Sequence, residues 1–124
     1  VGGVIWPELG LAKDGFMTGA VMAQALCEKP LSAWLADVPV YYNVKRKLEA
    51  DEKKKKEMVE NALSHAKGKK LPHVTLDGVR INLKDAWVIV RPSGTEPYVR
   101  VFAEAKSEKE AKRLADEYEK IAKG

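Results

Sequence analysis

A seven-residue stretch, Arg91–Pro97, constrains the fold more than any other part of this sequence. It contains two prolines and a glycine, and it separates two runs, 87–90 and 98–103, that are rich in β-branched and aromatic residues. Such runs favour β-strands. Because proline fixes φ and removes an N–H donor, the stretch predicts a stiff loop that joins two strands.

The same loop carries groups suited to binding an anion. Ser93 and Thr95 provide hydroxyl donors, and Arg91 provides a planar guanidinium that matches a phosphate. Gly94 admits backbone angles that turn neighbouring N–H groups toward one point. Arg100 lies close enough in sequence to reach the same anion. The loop therefore predicts a phosphate site, although a rigid turn with a solvated arginine uses the same residue types.

The stretch Arg91–Pro97, with Tyr98-Val99-Arg100-Val101 after it, resembles the phosphate-binding loop of the α-D-phosphohexomutase family. This family comprises phosphoglucomutases, phosphomannomutases and phosphoglucosamine mutases. The resemblance extends to the Trp87 strand, the Asp77-Gly78 turn and the last helix, and it covers nearly the whole chain as the family's C-terminal portion. It implies that five residues bind the substrate phosphate that is not transferred: Arg91, Ser93, Gly94, Thr95 and Arg100.

Length and composition indicate one ordinary core with an appendage. The chain has 124 residues, of which 45% are hydrophobic and 32% charged, as in a soluble globular protein. The net charge of +4 suits an anionic ligand, but most lysines alternate with glutamates, which favours a solvated surface over a nucleic-acid interface. The single Cys27 excludes an internal disulfide. With no signal peptide and no apolar stretch of spanning length, we expect a cytoplasmic protein without a membrane anchor.

Residues 1–29 are predicted to be the C-terminal remnant of a preceding α/β domain. The chain starts without Met, and Asp14 begins a helix, 16–26, that is apolar on nearly every side. Such a helix is normally buried all round by its own domain. The resemblance implies that Val1-Gly2-Gly3 is the end of a sugar-reading loop. A short helical connector within 30–38 is the predicted linker.

Residues 39–124 are predicted to form a C-terminal phosphate-binding domain. Asp51 caps a helix that runs to about Ala66, with most of the lysine run 53–56 on its solvent side. Ser107 and Glu110 predict a capping box for a last amphipathic helix. Strands are predicted at 40–45, 73–76, 79–83, 87–90 and 98–105, with a two-residue type I′ turn at Asp77-Gly78.

This order of elements predicts an α+β fold, with an antiparallel sheet and both helices on one sheet face. The resemblance implies the arrangement described as like the TATA-box-binding protein.

The resemblance also implies an activity for a full-length parent: interconversion of hexose 1-phosphate and 6-phosphate through a phosphoserine enzyme and a sugar bisphosphate, with Mg²⁺ and a bisphosphate activator.

The sequence contains neither the catalytic serine motif nor an Asp-rich metal loop. Asp14, Asp77 and Asp85 lie beside turns or helix starts, where backbone capping accounts for them. No catalytic or metal-binding residue is therefore assigned, and we expect the chain alone to be inactive. Its expected partners are a hexose phosphate and the missing N-terminal domains of the same enzyme.

Two other functions fit parts of the sequence. Arg80, Arg91 and Arg100 near strands suggest a basic nucleic-acid-binding module, but few exposed aromatic residues alternate with basic ones, as stacking on single strands requires. The apolar helix 16–26 suggests a purely structural interaction domain, which would self-associate if that surface were exposed.

Overall fold

The computed structural model describes residues 3–124, and the chain divides into two compact units between Pro39 and Val40. In the first unit, helix α1 spans Gly15–Glu28 and helix α2 spans Leu31–Leu35. The Asp14 side chain accepts a hydrogen bond of 2.9 Å from the Met17 N–H, which confirms the predicted helix start. The predicted role of Val1 and Gly2 lies outside the described residues.

The first unit has no core of its own in the described residues. None of the side chains from 3 to 39 is buried, and Phe16, in the first turn of α1, is 95% exposed. Neither α1 nor any other helix within residues 3–124 is long and apolar enough to cross a membrane. The assignment of residues 1–29 to a preceding domain stays a prediction.

The second unit contains a five-stranded antiparallel sheet whose strands lie in the order β1-β5-β4-β3-β2. The β-branched and aromatic runs predicted as strands form its centre, as their preference for a pleated surface requires. The strands are β1 (Tyr42–Glu49), β2 (His73–Val74), β3 (Val79–Asn82), β4 (Ala86–Pro92) and β5 (Tyr98–Ala105).

Two helices, α3 (Glu52–Gly68) and α4 (Glu108–Lys123), cover one face of this sheet. Alternate residues of β3, β4 and β5 point into the core between the layers, and the apolar stripes of both helices meet them. The predicted α+β fold is therefore confirmed. The largest fully buried side chains are Tyr118, Ile81, Leu114, Val79, Val88, Val90, Val99 and Val101.

The start of α4 differs in one detail from the predicted capping box. The Ser107 side chain accepts a hydrogen bond of 3.3 Å from the Glu110 N–H, as predicted. The Glu110 carboxylate instead accepts two hydrogen bonds, of 2.9 and 2.7 Å, from the Arg113 guanidinium. A bidentate guanidinium one turn along the helix competes successfully with a single backbone donor.

The hairpin at Asp77-Gly78 exists, but the predicted two-residue type I′ turn is wrong. Val74 pairs with Arg80, so the connection is longer and β2 has only two residues. A type I′ turn needs positive φ at both central residues, and here Gly78 alone has one, of 75°.

The first strand was predicted at 40–45, whereas it begins two residues later and ends four residues later, at Tyr42–Glu49. Three of the four residues in its second half are charged, so the apolar residues alone did not reveal this part of the strand. Arg46 lies on the helix-covered face and its guanidinium contacts the Asp116 carboxylate of α4 at 3.1 Å. An ion pair thus takes the place of an apolar contact at this edge of the sheet.

Candidate functional site

The two arginines of the predicted phosphate site lie directly opposite each other on adjacent strands. Arg91 belongs to β4 rather than to the loop, and its pairing partner in β5 is Arg100. Paired residues of an antiparallel sheet project from the same face, and like charges at such positions repel each other. Both side chains project from the face that the helices leave open, since the neighbouring Val90 and Val101 point into the core.

Each arginine is oriented by a carboxylate of its own. The Arg91 Nη2 atom lies 3.0 Å from the Asp77 carboxylate, in the turn before β3. The Arg100 Nη2 atom lies 3.3 Å from the Glu96 carboxylate and donates to the Tyr98 hydroxyl at 2.9 Å. Within the described residues, the Arg91 Nε atom is buried without a hydrogen-bond partner. A cationic donor is thus left unused next to the loop.

The Glu96 side chain braces the loop. Its carboxylate accepts a short hydrogen bond from the Tyr98 hydroxyl in addition to the contact with Arg100. The Tyr98 hydrogen bond, followed by the charges of Lys47 and Arg100, holds the pKa of Glu96 below its ordinary value of 4.5. Glu96 therefore stays ionised at neutral pH and keeps the Arg100 guanidinium at the loop.

The loop itself is held by its first and last residues. The Ser93 N–H donates to the Tyr98 carbonyl at 2.9 Å, and the Ser93 Oγ accepts from the Glu96 N–H at 3.2 Å. Between these bonds Gly94 and Thr95 are exposed. In the part of the chain that the structure describes, their backbone N–H groups donate to no protein acceptor. The loop thus presents two amide donors beside two guanidinium groups.

Gly94 does not have the special conformation that the sequence suggested. Its φ lies outside the left-handed region, and an added Cβ would have nothing within 4 Å. Gly78 is the glycine that the site requires. A Cβ on Gly78 would lie 2.2 Å from the Val90 carbonyl oxygen and 2.6 Å from the Arg91 Cα atom, so only glycine lets the Asp77 turn approach Arg91 this closely.

One member of the loop's surroundings was not predicted. Lys55 belongs to the lysine run that was expected to lie mostly on the solvent side of α3. It is only 5% exposed, and its ammonium donates to the Ser93 carbonyl at 3.0 Å and to the Glu52 carboxylate at 2.6 Å. The sequence does contain a signal for it. Lys55 lies three residues before Met58, which places it on the apolar stripe of the helix.

Aromatic and basic side chains alternate on the open sheet face, but none of the three rings involved is exposed. Lys45 lies over Phe102, Lys47 over Tyr98 and Arg80 over Trp87, with distances to the ring centroids of 5.8, 4.7 and 4.8 Å. These pairs cannot be recognised in the sequence, because the two members of each pair come from different strands. Each ring is covered by a cation of the chain itself, so these rings are not free platforms for base stacking.

The described residues do not fit a bound Mg²⁺. Within residues 3–124 no three His, Cys, Asp or Glu side chains lie close enough together to hold a metal ion. Asp14 caps α1 as predicted, whereas Asp77 pairs with Arg91 and Asp85 pairs with Lys106 at 2.5 Å. Asp77 and Asp85 were expected to cap the backbone, but each forms an ion pair with a residue distant in sequence.

Comparison with known proteins gives one consistent result. The family description "Phosphoglucomutase/phosphomannomutase, C-terminal domain" matches residues 40–121. A probable phosphoglucosamine mutase of Methanopyrus kandleri is 38% identical over 96% of this chain and 27% of its own length. A phosphoglucomutase/phosphomannomutase of Thermococcus kodakarensis is 40% identical over 93% of this chain and 25% of its own length.

A solved structure agrees with these matches. A phosphoglucomutase/phosphomannomutase family protein from Burkholderia thailandensis superimposes with a TM-score of 0.69 and 26% identity, over 90% of this chain and 24% of that chain. The chain thus spans about a quarter of the length of the relatives that it matches. Residues 40–121, most of the second unit, match the family's C-terminal domain, so the chain belongs to the phosphoglucomutase/phosphomannomutase family.

Proposed function

We propose that this chain binds the substrate phosphate in a mutase that interconverts hexose 1-phosphate and hexose 6-phosphate through a phosphoserine enzyme and a sugar bisphosphate. The binding residues are Arg91, Ser93, Gly94, Thr95 and Arg100. The names of the relatives, phosphoglucosamine mutase and phosphoglucomutase/phosphomannomutase, support a hexose or hexosamine phosphate as the ligand.

The observation that carries this proposal is the facing pair of Arg91 and Arg100. Two like charges opposite each other destabilise a sheet unless an anion lies between or beside them. Asp77 and Glu96 supply one negative charge each, and both leave guanidinium donors unused. A phosphate dianion beside the exposed amides of Gly94 and Thr95 would accept hydrogen bonds from the accessible N–H groups of the two partly exposed arginine side chains and would offset the repulsion.

The site acts on the part of the substrate that does not react. Each charge-assisted hydrogen bond to the phosphate contributes about 1.5–3 kcal/mol, and several together hold the reacting end of the sugar in line for chemistry elsewhere. Donors that recognise phosphate rather than the sugar ring accept either end of the hexose. This suits a sugar bisphosphate that turns over between two orientations.

The proposed reaction needs groups beyond this chain. The catalytic serine, the Mg²⁺ site and the sugar-reading loop would come from the N-terminal domains of the full-length parent, and a sugar bisphosphate would act as its activator. The chain alone would bind substrate without turning it over.

An NMR titration with amide resolution tests the binding site in this chain. Glucose 6-phosphate is expected to shift the amides from Arg91 to Arg100, and glucose at the same concentration is not. Arg91→Ala and Arg100→Ala should each weaken binding about tenfold or more. Arg80→Ala is the matched control, since it removes one positive charge from the same sheet face away from the loop. Salt-sensitive shifts along β1, seen with a single-stranded oligonucleotide but not with the sugar phosphate, would refute the proposal.

Steady-state kinetics of the full-length parent test the role of the phosphate site in turnover. The change that corresponds to Arg91→Ala should raise KM for the hexose phosphate strongly, because it removes binding energy from the phosphate that is not transferred. An unchanged KM would contradict the assignment.

A further inference from the structure

Lys55 reaches the phosphate loop from the helix layer, on the side opposite to the two arginines. It lies in the first turns of α3, which packs against the core side of β4. Its ammonium is buried and donates to the carbonyl of Ser93, the residue that precedes the exposed amide of Gly94. No other lysine of the run 53–56 is buried.

The bond to the Ser93 carbonyl determines where the next amide points. A trans peptide unit is planar, so its carbonyl and the following N–H project in opposite directions. With no cis peptide bond in the described residues, the Ser93–Gly94 unit has this geometry. Because Lys55 holds the carbonyl oxygen toward the helices, the Gly94 N–H points away from them. That is the side of the sheet on which Arg91 and Arg100 project.

The charge of Lys55 acts on the same peptide. A cation that accepts electron density from a carbonyl oxygen polarises the peptide and makes its N–H a stronger donor. The Glu52 carboxylate also accepts a hydrogen bond from the ammonium, but its side chain is 84% exposed and therefore accessible to water. The bond to Ser93 is therefore the buried one of the two contacts.

The geometry points to Lys55 as a positioning residue of the phosphate site, which orients and polarises the Ser93–Gly94 peptide so that the Gly94 N–H donates to the bound phosphate. This inference rests on the proposed function of the loop and adds to it a residue from a different element. Lys55 does not touch the ligand; it acts through the peptide.

The test compares two lysines of one run in the full 124-residue chain. Lys55→Met keeps an unbranched side chain that is one atom shorter and removes the charge and the donors, and Lys53→Met makes the same change at an exposed position. Titration with inorganic phosphate and with glucose 6-phosphate, followed by ¹H–¹⁵N NMR, gives a dissociation constant for each variant. Lys55→Met should raise the dissociation constant about tenfold and Lys53→Met less than twofold. Thermal unfolding of both variants shows whether they are folded.

The chemical shift of the Gly94 amide proton gives a second measurement, made in the wild-type chain and in the variant. In the wild-type chain the Gly94 amide proton should move downfield on addition of phosphate, as expected for an N–H that donates to an anion. In folded Lys55→Met that shift should be smaller at saturation, which a purely structural role of Lys55 would not produce.

The outcomes separate this inference from the proposed function. If the wild-type loop shows no response to either phosphate, the proposed function fails. If the loop binds phosphate while the Gly94 amide proton stays unshifted, or while folded Lys55→Met binds as tightly as Lys53→Met, the role of Lys55 is refuted and the phosphate site stands.

Discussion

At the scale of single residues, the site depends on how closely two loops approach each other. The turn before β3 brings Asp77 to the Arg91 guanidinium, and Gly78 makes this approach possible. Its φ of 75° lies in the left-handed region, where a side chain is strained. Gly94, in the loop itself, has neither constraint.

We therefore expect two glycine substitutions to differ sharply in stability. Gly78→Ala should lower the free energy of unfolding by about 3 kcal/mol, because it adds left-handed strain to a collision with the Val90 and Arg91 backbone. Gly94→Ala should change it by less than about 0.5 kcal/mol. Urea denaturation followed by circular dichroism measures both values. Equal effects of the two substitutions would show that the turn does not require a glycine.

At the scale of elements, the last helix combines a buried stripe with a charged outer surface. Glu108 and Lys112 form an ion pair at 2.6 Å, and Arg113 contacts Glu110 at 2.7 Å and Glu117 at 2.5 Å. The hydrogen bond from Lys112 holds the pKa of Glu108 below its ordinary value of 4.5, and the hydrogen bond from Arg113 does the same for Glu110. Both carboxylates also lie in the first turn, where the helix dipole favours negative charge.

These lowered pKa values predict an acid-dependent loss of stability. A carboxyl whose pKa is lowered in the folded state contributes stability above its unfolded pKa, and that contribution is lost as pH falls through the folded value. The free energy of unfolding should therefore decrease as pH falls below 4.5. In Glu108→Gln/Glu110→Gln the decrease should be shallower. The exposed pair Glu57→Gln/Glu60→Gln is the control for net charge. Identical acid slopes for the two double variants would contradict this account.

At the scale of the whole chain, every buried residue within the described range 3–124 lies in the second unit. The core runs from Leu48 to Ala122, whereas no side chain within residues 3–39 is buried. Burial of apolar surface is the main favourable term in folding, so the two parts of the chain should differ in their ability to fold alone.

We expect residues 40–124 to fold without the first unit. The shorter chain should show a cooperative thermal transition within a few degrees of that of the full chain, and the amides of β3, β4 and β5 should keep their chemical shifts. Residues 1–39 alone should show no cooperative transition, because no side chain from 3 to 39 is buried. A shorter chain that unfolds without cooperativity would mean that the first unit contributes to the fold of the second.

Much of the fold follows from the sequence because its signals are local. The alternation in β5 and the apolar stripe of α4 are visible from periodicity alone, and both elements form as predicted. The turn at Asp77 and the second half of β1 were predicted less well. Their conformation depends on partners distant in sequence, namely Arg91 for the turn and Asp116 for the strand.

Residue types and their near neighbours in sequence account for the type and order of the elements, and for the hydroxyl and guanidinium groups that the stretch Arg91–Pro97 carries. Only the tertiary structure placed Arg91 opposite Arg100, because strand register is a relation between two segments. Only the tertiary structure, likewise, brought the Lys55 ammonium to the Ser93 carbonyl. Helical periodicity placed Lys55 on the buried side of α3, but the packing of that helix on the sheet decided which buried carbonyl its charge would meet.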